Sequence, residues 1–265
     1  MKRSAPSAPF VIMETDADLQ RGVRALRRKC VHMRSIHDRI GKTELRRHEP
    51  GFVGLARIVT GQQLSIASAA AIWGRLTQAV QPLTPQAFAA QSDEALRKAG
   101  LSRGKVRTLR ALCDRIEDGL SLETLAQAPD AQVPEVLTTL PGIGPWTADI
   151  YLLFCLGRAD AFAAGDLALQ ISAMRALDLP ERPPAEALLA IAERWRPWRG
   201  AAGAARGPAA GGGRRRAVVA NDGGGVEFWG AGRKKWAQRR AERVRGAAGR
   251  EGWGWGRAVR SGAVT

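Results

Sequence analysis

Apolar positions along the first 199 residues recur at three- and four-residue intervals, which reads as a chain of amphipathic helices. Leu19, Val23 and Leu26 share one face of a helix that Thr15 or Asp16 would cap, running to about Cys30. A second short helix passes through Ile36 and Ile40, and residues 45–52 read as a linker. Residues 51–80 give two helices broken at Gly61, which leaves Gln62 and Gln63 in a loop. Thr84-Pro85 and Ser92-Asp93-Glu94 look like helix starts, the second close to a capping box. Leu101-Ser102-Arg103-Gly104-Lys105 opens the next helix, and Asp130 is expected to cap one that ends at Thr139. Segments 145–157, 166–177 and roughly 185–196 complete the helical part.

Two of these helices flank Leu140-Pro141-Gly142-Ile143-Gly144-Pro145-Trp146-Thr147-Ala148. Gly142 and Gly144 lack a Cβ, so the turn can be tight and its N–H groups can face a phosphate at close range. Ile143 between them can fasten the turn to the helices, and Pro145 suits a first helical position. This is how a helix-hairpin-helix is written. Twenty residues after Trp146 comes Asp166, placed to cap the next helix beside the hairpin. Trp146, Ile150, Leu153 and Phe154 have helical spacing and belong mostly to a core.

Charge adds a partner class. Formal net charge is +16, of which residues 1–199 carry +6 and residues 200–265 carry +10. So basic a chain points to a polyanion. Arg103, Lys105 and Arg107 sit beside small residues at a helix start, where they read as a phosphate contact or as a solvated basic face. Cys30, Cys113 and Cys155 are far apart and no C-x-x-C occurs, which excludes a zinc or iron–sulfur site of usual spacing. His32, His37 and His48 have unrelated spacings and read as surface or packing residues. The first ten residues lack a long apolar core and no run of about twenty apolar residues occurs, so neither a signal peptide nor a membrane span is expected.

The hairpin, the Gly165-Asp166-Leu167-Ala168-Leu169-Gln170 segment and Arg194-Trp195-Arg196-Pro197-Trp198-Arg199 together resemble the helix-hairpin-helix superfamily of DNA base-excision glycosylases. The match is to its alkylated-base branch, the DNA-3-methyladenine glycosylase II group, over roughly residues 10–199. The resemblance implies an all-α fold of two helical domains with the active-site cleft between them. The expected division is a loose tail over 1–14, a domain from 15–48 plus 160–199, and a central domain over 49–159 with the hairpin at 132–157. It also implies a monomer that acts on double-stranded DNA with damaged bases, in the cytoplasm at the nucleoid, without a required cofactor.

Residue by residue, the resemblance makes Asp166 the catalytic carboxylate. Trp146, Ile150, Phe52 and Trp73 become the base pocket. Gln63, with Gln62 beside it, becomes the wedge that fills the gap left by an extruded base. Gly142, Gly144, Ser102, Arg103 and Lys105 become contacts to the DNA strand. The carbonyls of Thr138, Leu140 and Ile143 would hold a monovalent cation, Na+ or K+. Trp146 stands where members with lyase activity carry a Lys, and an indole cannot form a Schiff base, so a monofunctional enzyme is expected. The competing readings are a glycosylase for oxidised or mismatched bases, and a non-enzymatic DNA-binding module or inactivated member.

After Arg199 the composition changes. Residues 200–265 contain 17 Gly and no Leu, Ile or Met, where the family continues into a Leu- and aromatic-rich helix. Such a segment is expected to be a disordered Gly/Arg-rich tail of out-of-frame or otherwise substituted origin. Its clusters at Arg214–Arg216 and Arg233-Lys234-Lys235, interleaved with Trp229 and Trp236, also fit a basic nucleic-acid-binding tail.

Overall fold

Helices form where the periodicity places them, and local capping chemistry sets most of their starts. The computed structural model describes residues 10–204. Within them the helices are α1 Asp16–Lys29, α2 Val31–Ile40, α3 Gly51–Gly61, α4 Ile66–Ala79, α5 Pro85–Ala89 and α6 Asp93–Lys98. They continue with α7 Arg103–Glu117, α8 Leu122–Gln127, α9 Gln132–Leu137, α10 Pro145–Ile150, α11 Leu167–Ala176, α12 Ala185–Ala192 and α13 Arg199–Ala204. No strand occurs among the described residues, only a single bridge between Ile12 and Arg158. The fold is therefore all-α, as expected.

Thr15 caps α1 through a capping box with Asp18, and Thr84, Ser92, Ser102 and Asp166 each accept a backbone N–H at the start of their helix. Asp130 does not cap α9. The N-cap is Ala131, and the Asp130 carboxylate lies 3.4 Å from the buried Arg158 guanidinium instead. Burial holds the Asp130 carboxyl above the usual carboxylate range, with Arg158 opposing.

The core of the central part comes from α3 (Leu55, Ala56, Ile58, Val59), α7 (Leu109, Leu112) and the turn after α10. There Tyr151–Cys155 wind as a π-helical turn, all five residues buried. The expected single helix over 145–157 is thus two geometries. A second group packs α1 against α2 and α13.

Two expectations change at the ends. Residues 10–14 are not loose: Met13 is buried, its N–H donates to the Gly157 carbonyl at 2.7 Å, and the Phe10 ring packs on Arg158. Residues 200–204 are not tail either, because Gly200, Ala201 and Ala202 are buried within α13. Small side chains are what allow it. A Cβ at Gly200 would stand 2.6 Å from Leu153 Cδ1 and 2.9 Å from the Ala159 carbonyl oxygen. The expectations for residues 1–9 and 205–265 lie outside the described residues.

Candidate active site

Asp166 sits where the hairpin and α11 meet. It is half-buried, and both carboxylate oxygens have donors. Oδ1 accepts the Leu169 N–H at 2.8 Å, and Oδ2 accepts the Trp146 indole N–H at 3.1 Å. The cap fixes the carboxylate to its own helix, while the indole ties it to the first turn of α10. Two elements twenty residues apart in sequence thus hold one charge in one orientation.

Trp146 and Gly165, the neighbours of that carboxylate in space and in sequence, line a cleft of about 500 Å³. Its volume falls in the range of small-molecule sites, roughly 300–1,000 Å³. Leu152, Phe162 and Leu189 supply apolar wall, and Asp149, Asp160, Arg196 and Arg199 supply charge. Arg196 and Arg199 come from the RWRPWR segment, where both pair with Asp160 and Glu193. Phe162 meets Trp195 edge to face, with ring centroids 6.1 Å apart.

Three of the four base-pocket residues expected from sequence are not on this wall. Phe52 is buried on α3 against Phe88, ring centroids 5.9 Å apart, because its face of α3 is the core face. Trp73 is half-buried on α4 with the Arg57 guanidinium 5.7 Å from its ring. Ile150 turns into the core one helical turn beyond Trp146. Trp146 alone of the four lines the cleft. Sequence reasoning missed Asp149. Its signal was legible: a lone acid in the apolar run Trp146-Thr147-Ala148-Asp149-Ile150, three residues from Trp146 and so on its side of α10. Burial pushes the Asp149 carboxyl up to about 6, with the Arg199 charge opposing.

The expected DNA-contact segments are brought together. The Gln62 amide donates to the Gly142 carbonyl at 3.2 Å and to Thr147 Oγ1 at 2.9 Å, lashing the α3–α4 loop to the hairpin. With its amide so occupied, Gln62 acts as a brace. Gln63 is exposed and its backbone is left-handed, φ 58°. A non-glycine residue held there is strained by roughly 1–3 kcal/mol, a cost typical of positions under functional constraint.

Gly142 has φ 81°, and a Cβ on it would overlap the Thr108 hydroxyl of α7. Gly144 caps α10 with open space where a Cβ would be. Ser102 caps α7 and Arg103 is exposed. Lys105 Nζ donates to the Thr60 carbonyl at 2.7 Å, closing the end of α3 next to the glutamine loop. Burial there desolvates the ammonium and lowers its pKa. Loop, hairpin and the start of α7 therefore form one braced neighbourhood.

Thr138, Leu140 and Ile143 lie on the hairpin between α9 and α10, with the Ile143 N–H donating to the Leu140 carbonyl at 3.1 Å. No cluster of three His, Cys, Asp or Glu suited to a metal occurs among the described residues, and no helix there is long and apolar enough to cross a membrane.

A sequence profile of the HhH-GPD superfamily, described as base excision DNA repair protein, matches residues 56–197. DNA-3-methyladenine glycosylase 1 of Schizosaccharomyces pombe is 31% identical over 153 residues, covering 56% of this chain and 67% of that one. Among solved structures, the 3-methyladenine DNA glycosylase of S. pombe in complex with abasic DNA superposes with a TM-score of 0.64 at 25% identity, over 69% of this chain and 93% of that one. A DNA-3-methyladenine glycosidase from Bacillus halodurans gives 0.61 at 30% identity, over 74% and 89%. The chain spans 40% and 19% of the length of two other curated relatives, from Bacillus subtilis and Mycobacterium tuberculosis.

Proposed function

The chain belongs to the HhH-GPD superfamily of base excision DNA repair proteins, and from that premise we propose that it is a monofunctional glycosylase removing alkylated purines of the 3-methyladenine type from double-stranded DNA. The observation that carries this reading is the doubly held Asp166 carboxylate beside a cleft that admits a base.

An alkylated purine needs little general-acid help, because its ring is positively charged before the bond breaks. The sugar is the centre that needs help, since C1′ develops oxocarbenium character as the bond lengthens. The Asp166 carboxylate stabilises that charge, and an interaction across a cleft of low dielectric is much stronger than in water. A water then adds to C1′, giving an abasic site and the free base. The base reaches the cleft only after leaving the stack, which costs a few kcal/mol. Exposed Gln63, at the tip of the braced loop, fills the vacated place. The Gly142 and Gly144 amides grip a phosphate, and Ser102 and Arg103 add a second hold on the strand.

A monovalent cation at the hairpin belongs to the same proposal. Thr138, Leu140 and Ile143 would offer carbonyl oxygens without a carboxylate, a donor set that suits Na+ or K+, and the ion would add positive charge near the phosphate. Trp146 offers no amine, so the chain's own chemistry ends at the abasic site. The reading places the enzyme at chromosomal DNA in the cytoplasm, acting as a monomer.

The test is release of 3-methyladenine from methylated duplex under single-turnover conditions. Asp166→Asn should lose about 100-fold or more in rate with duplex affinity retained. The product strand should stay intact until alkali is added. Excision unchanged in Asp166→Asn removes this residue from the mechanism, and cleavage before alkali overturns the monofunctional assignment.

A further inference from the structure

Asp149 stands in the cleft wall without a partner. Among the described residues its carboxylate makes no hydrogen bond or ion pair, although it is half-buried. The charges that face it are few. The Arg199 charge acts on it, but the Arg199 guanidinium is already bound, to Asp160 at 2.9 Å and to Glu193 at 3.1 Å. Arg196 is likewise held by Asp160 and Glu193. Asp130, from the start of α9, is turned to Arg158. From α12 the cleft receives only Ala185 and Leu189, and beyond Trp146 lies Asp166, with both oxygens engaged.

A half-buried carboxylate that no donor binds directly is unfavourable, and such groups concentrate where a ligand completes them. The space in front of this one is bounded by the Trp146 indole, one helical turn away on α10, whose face also attracts cations. A ligand that satisfies both groups must be flat, apolar over most of its surface and positively charged. We propose that Asp149 is a specificity-determining residue that pairs with the positive ring of an alkylated purine and so favours cationic bases over neutral ones of the same shape. The proposal rests on the glycosylase reading of this cleft. It gives two carboxylates separate roles, Asp166 beside the cleft answering the charge on the sugar and Asp149 in its wall the charge on the base.

A binding experiment separates the two ideas because it does not require catalysis. Calorimetry on the full chain would use 3,9-dimethyladeninium, a fixed cation, and 9-methyladenine, its neutral counterpart. The wild-type protein should prefer the cation by about tenfold or more at pH 7. Asp149→Asn should lose that preference and Asp149→Ser should lose it likewise, while Asp166→Asn retains most of it. In the unmodified protein the preference should fade as the pH drops through about 6, where Asp149 takes up a proton. Equal binding of the two purines by the wild type, or a preference that survives both Asp149 substitutions, overturns the proposal. If the preference appears but methylated DNA is not processed, it is the glycosylase reading that fails.

Discussion

Trp146 serves two neighbours at once. Its ring forms cleft wall, and its indole N–H holds Asp166 Oδ2 at 3.1 Å. Phe in its place would keep an aromatic face and lose this donor to Oδ2. A hydrogen bond to a charged group contributes roughly 1.5–3 kcal/mol, so Trp146→Phe should lower kcat about tenfold while KM moves less than about threefold. A kcat for Trp146→Phe that stays near the parent's while Trp146→Ala loses activity would mean that the ring, not the N–H, matters. Asp166 and Trp146 were both legible in the sequence because each is tied to a local pattern, an N-cap and a hairpin. Phe52, Trp73 and Ile150 lie away from this cleft wall for the converse reason. A helix shows that a residue is apolar at a given angle, but which neighbouring element that angle meets is settled by packing.

At the level of elements, glycine spacing decides how closely α1 and α13 can approach their neighbours. α13 lies on α1 because Gly22 leaves room for Trp198 and Ala201; a Cβ there would stand 2.5 Å from Trp198 Cε3. Gly200 makes the matching approach to Leu153 and Ala159. Neither Trp198, which is buried, nor the Ala159 backbone is free to yield. Gly22→Ala and Gly200→Ala should each cost about 1–3 kcal/mol, seen as a fall in Tm of roughly 3–10 °C. Insertion without loss of Tm would show that α13 is not seated against this surface in solution. The capped helix starts were readable because the Ser, Thr or Asp and the N–H it accepts lie three residues apart. The α13 packing was not, since a Gly- and Ala-rich run carries no apolar stripe and gains its place only from what it touches. Asp130 illustrates the same limit: its sequence context suits a cap, and its partner Arg158 is 28 residues away.

Across the described residues, buried His37 and half-buried Asp149 set opposite dependences of stability on pH. His37 is 5% exposed, and burial with the Arg27 charge pushes its pKa down to about 4, against a partial opposing pull from Asp38. It is therefore neutral in the fold, while the unfolded chain takes up a proton below about 6.5. Unfolding then binds protons between pH 6.5 and 4, so this group makes stability rise with pH across that window. Asp149 does the reverse. Its folded pKa of about 6 exceeds its unfolded value, so its favourable share is complete below about 3.8 and is lost as pH rises through 6. Between pH 4 and 6 the two slopes oppose, and each integrates to no more than about 3 kcal/mol. Tm measured from pH 4 to 7 should consequently vary less for the unmodified protein than for either variant. Asp149→Asn should show a steeper rise with pH and at pH 7 gain about 1–2 kcal/mol, while His37→Leu should show a fall. The acids Asp18 and Glu193, whose hydrogen bonds lower their pKa values, contribute equally to all three proteins and cancel in the differences. A gain in stability for Asp149→Asn, together with its loss of preference for charged purines, would identify a carboxylate kept in the cleft against the interest of the fold; a variant no more stable than the parent would mean that Asp149 is solvated after all, and that the cleft wall carries no buried charge for a base to meet.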